Sequence, residues 1–293
     1  MSLKGRILAG AVALGTALAL ASPAAAQFGG ACDREMLQEV AGKYLDAQRT
    51  GTPLLIPMGN WMVYSENFKL SSMSTGLLSK PLEIDHQLML LDETQCRVFI
   101  QMIVTDEARP IVFAVQFTAR GGNASNVNVI TSEKDDWLFD AQATYEYARR
   151  EDWGTISEGQ RNSREEIQAA ADAYLDLFKD KSVQVPWGTP CARLEGGIYT
   201  ARGTPEDSCD IGVPDDVDMV EREYVIDESI GAVSVFLKMG QNRRPDSHLF
   251  RIEDGKLRYI HTITNCGEQV NCGFRPFEEM LKENPDMQPP PVG

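Results

Sequence analysis

Leu37-Gln38-Glu39-Val40-Ala41-Gly42-Lys43-Tyr44-Leu45-Asp46 returns 130 residues later as Ile167-Gln168-Ala169-Ala170-Ala171-Asp172-Ala173-Tyr174-Leu175-Asp176. In both stretches apolar side chains fall at i, i+3, i+4, i+7 and i+8 (Leu37, Val40, Ala41, Tyr44, Leu45; Ile167, Ala170, Ala171, Tyr174, Leu175), the stripe of a helix buried along one face. Ser163 with Glu166 is a capping box ahead of the second helix. The matches continue in the same order: Pro57-Met58-Gly59 with Pro186-Trp187-Gly188, 89–93 with 224–228, Pro110 with Pro245, and Val129-Ile130-Thr131 with Thr262-Ile263-Thr264. Blocks repeated in one order indicate a duplicated unit, with copies over 27–135 and 164–275.

Each copy ends in runs rich in Val, Ile and Phe. They cover 86–92, 97–104, 110–119 and 126–131 in the first, and 221–227, 231–239, 247–252 and 257–263 in the second. The fold class is therefore α+β, a helix packed on a curved antiparallel sheet, twice over. Between the copies, 136–163 carries Trp137, Phe139, Tyr145 and Trp153, and we expect a linker helix packed across both units, since those rings would otherwise be wet. Residues 276–293 read as a flexible tail ending in Pro289-Pro290-Pro291. At the other end, Lys4 and Arg6 precede an apolar run from Ile7 to Ala21, then Ala24-Ala25-Ala26, which predicts a cleaved signal peptide over 1–26. The run is too short for a comfortable membrane span, so the expected mature chain is secreted or periplasmic.

Lys and Arg total 28 against 43 Asp and Glu, a formal charge of −15, which excludes a phosphate-backbone footprint for nucleic acid. Six cysteines, Cys32, Cys96, Cys191, Cys209, Cys266 and Cys272, suit an oxidising compartment. Fifteen connectivities exist for six cysteines. Proximity along the chain favours Cys191 with Cys209 and Cys266 with Cys272, leaving Cys32 with Cys96. Zinc is the competing reading, disfavoured because no C-x-x-C pair occurs. Nucleotide-binding glycine motifs, G-x-S-x-G and H-E-x-x-H do not occur either, so no cofactor is called for.

A helix followed by a curved antiparallel sheet of this length resembles the cone-shaped architecture shared by nuclear transport factor two, ketosteroid isomerase, scytalone dehydratase and SnoaL-type cyclases. The lines Ile84-Asp85-His86, Asp136-Trp137-Leu138-Phe139, Val185-Pro186-Trp187-Gly188-Thr189-Pro190-Cys191, Pro245-Asp246-Ser247-His248 and Arg258-Tyr259-Ile260-His261-Thr262 resemble, more closely, a family of secreted proteins of unassigned function built from tandem SnoaL-like domains. The resemblance covers nearly the whole mature chain. It implies the tandem cone fold, export and an intramolecular pseudo-dimer, and it brings no established catalytic residues.

Candidate chemistry centres on 246–263. Asp254-Gly255 is a two-residue hairpin turn, because type I′ geometry needs positive φ at both positions. If Glu253 faces Lys256 and pairing continues without irregularity, Arg251 meets Arg258, Phe250 meets Tyr259 and His248 meets His261. Two of the protein's three histidines then share a face with two aromatic rings. A pocket enclosed by such a cone gives these groups acid–base work: His248 and His261 as base and acid, with Tyr259 as a further proton carrier. Aligned on its prolines and last strand, the first copy has Phe113 and Asn128 at these positions, so only the second is equipped. Trp187, Phe250, Arg193, Tyr199 and His86 are the candidate ligand contacts. Competing readings are a satisfied structural pair and a metal site completed by Asp246 or Asp218, without ligand-motif spacing to support it.

The expected function is an exported, cofactor-independent lyase, dehydratase or isomerase acting on a small, largely apolar molecule, aromatic ones included. The alternative is a noncatalytic small-molecule-binding or scaffold protein.

Overall fold

The computed structural model describes residues 32–283; the expected signal peptide lies outside them, as do residues 284–293. Helix α1 (Arg34–Thr50) is capped by the Asp33 side chain, which accepts from Met36 N, and buries the expected stripe of Leu37, Val40, Ala41, Tyr44 and Leu45. Strands β1 (Tyr64–Glu66), β2 (Lys69–Leu70), β3 (His86–Asp92), β4 (Arg97–Val104), β5 (Ile111–Arg120) and β6 (Asn123–Ser132) follow, and form one sheet in the order β2-β1-β6-β5-β4-β3. After helix α2 (Ala141–Ala148), helix α3 (Arg164–Leu177) opens the second unit with the capping box formed at both ends, Ser163 with Glu166. Strands β7 (Trp187–Glu195), β8 (Ile198–Tyr199), β9 (Met219–Asp227), β10 (Ala232–Met239), β11 (Arg244–Glu253) and β12 (Lys256–Thr264) repeat the order as β8-β7-β12-β11-β10-β9.

The expected meanders are antiparallel, but each sheet also has one parallel joint, β1 with β6 and β7 with β12. The long excursion from helix to first strand returns the chain to the far edge of the meander, where it enters running the same way as the last strand. The linker stretch holds the eight-residue α2. Helix α4 (Phe277–Glu283) occupies the start of the stretch expected to fray. All three cysteine pairs are joined as chain proximity suggested: Cys32–Cys96, Cys191–Cys209 and Cys266–Cys272. No helix among the described residues is long and apolar enough to cross a membrane.

Three apolar clusters build four layers. Helix α1 packs on the first sheet through Tyr44, Phe113 and Phe117, and α3 on the second through Tyr174, Phe250 and Ile260. The reverse faces of the sheets meet each other through Leu90, Phe99, Ile130, Val225, Phe236 and Ile263, with α2 along the seam. At one end of this joint the units exchange arginines. Asp92, at the end of β3, accepts two bonds from Arg164 (2.9 and 2.6 Å) and one from Ile226 N (3.0 Å). Asp227, at the end of β9, accepts two from Arg34 (3.1 and 2.9 Å) and one from Leu91 N (3.0 Å). The contacts mirror one another residue for residue, as an isologous interface requires.

One register differs from expectation. Glu253 faces Lys256 and Ile252 faces Leu257, but Arg251 then faces Tyr259, Leu249 faces His261 and His248 faces Thr262. A bulge at Arg258 inserts one residue, and one residue of slip turns every later side chain to the other face. His248 therefore looks toward α3 and His261 toward the first sheet, so the expected imidazole pair does not form. Arg258 leaves the ladder to lie over the Tyr259 ring at 4.2 Å, and Arg251 donates to Gly154 O and Ile230 O (both 2.7 Å) with Glu253 beside it. The acids of 215–221 hold Lys179, Lys181, Lys238 and Arg243. Asp92 pairs with Arg97 as Asp227 pairs with Ala232, and these face Thr118 and Arg251, so the first-copy counterpart of His248 is Val115 and not Phe113, while Asn128, opposite Gln116, corresponds to His261, opposite Leu249.

Candidate functional site

Between α3 and the second sheet lies a cavity of about 340 Å³, inside the roughly 300–1,000 Å³ range of small-molecule sites. The even-numbered side chains of β11 and β12 face it, which is why His248, Thr262 and Thr264 line it together. Strand β7 is paired so that Arg193 lies beside Ile260 and Glu195 beside Thr262, adding both to the same face. Tyr174 and Phe178 come from α3 and Met239 from β10, while Phe274, Phe277 and Met280 of the C-terminal segment reach in across the mouth. Trp137 closes one side because its chain wraps tightly over the β7–β8 turn: Gly196 has φ +55°, and a Cβ there would stand 2.3 Å from Leu138 O.

His248 is buried, at 1% exposure, in an aromatic frame. Its ring stacks on Phe250 (centroids 5.7 Å, 16°) and meets Tyr174 at 5.7 Å and Phe178 at 6.3 Å. Nδ1 stands 2.5 Å from Asp246 Oδ1, and the other carboxylate oxygen accepts from Thr264 Oγ1 at 2.6 Å. A carboxylate so placed holds the imidazole in the tautomer with the proton on Nδ1, which leaves the Nε2 lone pair as the available base. Burial pushes the Tyr174 phenol up to about 12, against the influence of Arg193. Arg193 is buried and stays protonated: desolvation opposes its charge, and the Tyr174 and Glu195 oxygens outweigh it. Glu195 in turn accepts from Trp137 Nε1 at 2.6 Å.

Of the residues expected from sequence, His248 and Arg193 line this cavity, with Phe250 stacked on the His248 ring. His261, Tyr259, Tyr199 and His86 do not. His261 is pinned at the joint of the two sheets, Nδ1 to Gln101 (3.0 Å) and Nε2 to Glu151 (2.6 Å). Tyr259 packs with Trp153 on that side of the sheet, and Tyr199 stacks on Tyr147 at 4.7 Å. His86 is half-buried near them, its basicity lowered by desolvation and by His261. Trp187 touches Tyr174 edge-on at 5.8 Å but borders a separate surface cleft beside Lys181 and Gln184. Asp246, weighed from sequence only as a metal ligand, is the orienting carboxylate. Tyr174, assigned from sequence to a core stripe, is the cavity phenol; its hydroxyl at a sheet-facing helical position was the available signal. Among the described residues no group of three His, Cys, Asp or Glu is placed to hold a metal ion.

The first copy has no such arrangement. Val115 faces Val129 as His248 faces Thr262, and both Val115 and Phe113, two residues before it like Asp246 before His248, are fully buried core.

Residues 160–264, which span the second unit, match the family described as "Domain of unknown function (DUF8021)". No curated protein matches the chain. A solved NTF2-like protein from Bacteroides fragilis NCTC 9343 aligns at 11% identity over 79% of this chain and 95% of that one, with a TM-score of 0.18.

Proposed function

We propose that the protein is an exported, cofactor-independent acid–base enzyme of lyase, dehydratase or isomerase type, acting on a small, largely apolar molecule in the cavity of its second unit. The observation that carries this reading is the Asp246–His248 pair, fixed by Thr264 at the wall of a largely apolar cavity. His248 Nε2 takes the proton, Asp246 stabilises the imidazolium that forms, and Tyr174 is the second proton-bearing group within reach of the same space. In this reading each unit is a SnoaL-like cone, residues 1–26 are removed on export, 136–163 joins the units, and the first serves as a structural half of a pseudo-dimer. His261 and Tyr259 take no part in the chemistry.

The test is turnover of small apolar substrates by His248→Gln and Asp246→Asn. Loss of activity by about a hundred-fold or more in both, the scale of a removed general base, with ligand binding and folding retained, supports the proposal; full activity in both refutes it. The depth of His248 and the scarcity of other titratable groups favour one rival, a noncatalytic carrier, for which both variants bind as before and no turnover appears with the unaltered protein.

A further inference from the structure

The walls of the cavity specify the polarity of what enters it. Arg193 is the one cation lining it, and its side chain is only 6% exposed. Its Nε makes no hydrogen bond among the described residues, and the nearest carboxylate oxygen, Glu195 Oε2, stands 3.4 Å away. Glu195 spends its other oxygen on Trp137 at 2.6 Å. A buried donor without a full partner is costly and is ordinarily explained by a group that completes it. The charge arithmetic decides which group. One cation, Arg193, already has the Glu195 carboxylate beside it, and a second carboxylate, Asp246, is buried against His248 in the same wall. A carboxylate ligand adds a third negative charge in a low-dielectric space with one positive charge to answer it. A neutral oxygen acceptor takes the guanidinium's donors and adds none.

We infer that the ligand is an uncharged molecule with an apolar body and one carbonyl-type oxygen, ketone, aldehyde or amide, directed at Arg193, and that Arg193 selects against the corresponding carboxylates. The inference rests on the cavity being a ligand site, as proposed above. Tyr174 spans the distance between the two ends: its ring lies 5.7 Å from the His248 ring, and its phenol interacts with the guanidinium. A carbonyl held at Arg193 therefore presents the adjoining carbon toward His248.

The experiment compares three probes of nearly equal shape on the full mature chain by calorimetric titration: 2-acetonaphthone, 2-naphthoate and 2-ethylnaphthalene. The ketone is expected to bind about ten-fold or more tightly than the hydrocarbon, the scale of one hydrogen bond from a charged donor, and the carboxylate most weakly of the three. Arg193→Met should remove the ketone's advantage while leaving the hydrocarbon's affinity within a few-fold. If that variant does not fold, the ranking on the unaltered protein decides. Tightest binding by the carboxylate, or equal binding of ketone and hydrocarbon, overturns the selectivity and leaves the cavity as a ligand site. Failure of all three to bind overturns both.

Discussion

Asp92→Asn isolates the joint between the two units. The native carboxylate, fully buried, accepts a forked pair from Arg164 and the N–H groups of Ile226 (3.0 Å) and Gln95 (2.9 Å). Asparagine keeps the shape but has one oxygen, so its amide N–H₂ must face either the Arg164 fork or a backbone N–H, donor against donor. Arg164, with its side chain 15% exposed, is left a largely buried cation without an anion. Removing one partner of a buried ion pair costs about 3–5 kcal/mol, and the retained oxygen recovers part of that, so we expect a loss of about 3 kcal/mol. Asp227→Asn should cost about 2 kcal/mol, because Arg34, 39% exposed, can turn to water. Urea unfolding followed by tryptophan fluorescence measures both. With a slope near 3 kcal/mol/M, about the upper end for single domains, the midpoint falls by about 1 M for Asp92→Asn. The double replacement Asp92→Leu with Arg164→Met should restore most of the loss, since both charges go together. A fall below about 0.3 M, or a larger loss at Asp227 than at Asp92, refutes the account.

Other outcomes follow from the same geometry. His261→Leu removes one donor from the buried Glu151 carboxylate, which keeps Trp153 Nε1 at 2.9 Å, and leaves Gln101 without its ring partner. It should destabilise by about 2 kcal/mol, with probe binding in the cavity unchanged; weakened binding at native stability places His261 in the site instead. The Tyr174 phenol, raised to about 12, adds stability present below the unfolded value of roughly 10 and lost as pH climbs toward 12; Tyr174→Phe should flatten stability over that interval, and an unchanged slope contradicts it. The His86 shift runs downward, so its contribution is present above about 6.5 and is lost as pH falls below it; His86→Phe should reduce the acid-side decline in melting temperature. Ending the chain after Arg275 removes Phe277 and Met280 from the cavity mouth, and should weaken 2-ethylnaphthalene binding several-fold by calorimetry while the far-UV spectrum stays near native.

Periodicity exposed the architecture because both periods were clean. The helical stripes of Leu37–Leu45 and Ile167–Leu175 are buried as spaced, and the eight meander strands lie within a few residues of their apolar runs. The candidate site was half legible. His248 and Arg193 line the cavity, but the partner assigned to His248 was the wrong one, because a bulge adds a residue without any side chain that announces it. The sequence carried one warning. Uninterrupted pairing set Arg251 against Arg258, a repulsive contact across a ladder, and the bulge is what separates them. Asp246 was hidden for another reason: two residues from His248 on one strand, it reads as a neighbour on the same face and reveals its role only when Thr264 arrives from the next strand.

The mirrored arginine exchange also bears on why the two halves can differ inside. In a pair of identical chains every substitution is made twice, so a buried His–Asp couple lost from one site is lost from both. Joining the halves into a single chain frees each from its twin. Val115 and Phe113 give the first half an unbroken apolar interior, and the second half, anchored to it through Arg34 and Arg164, can carry the stability burden of its buried His–Asp couple.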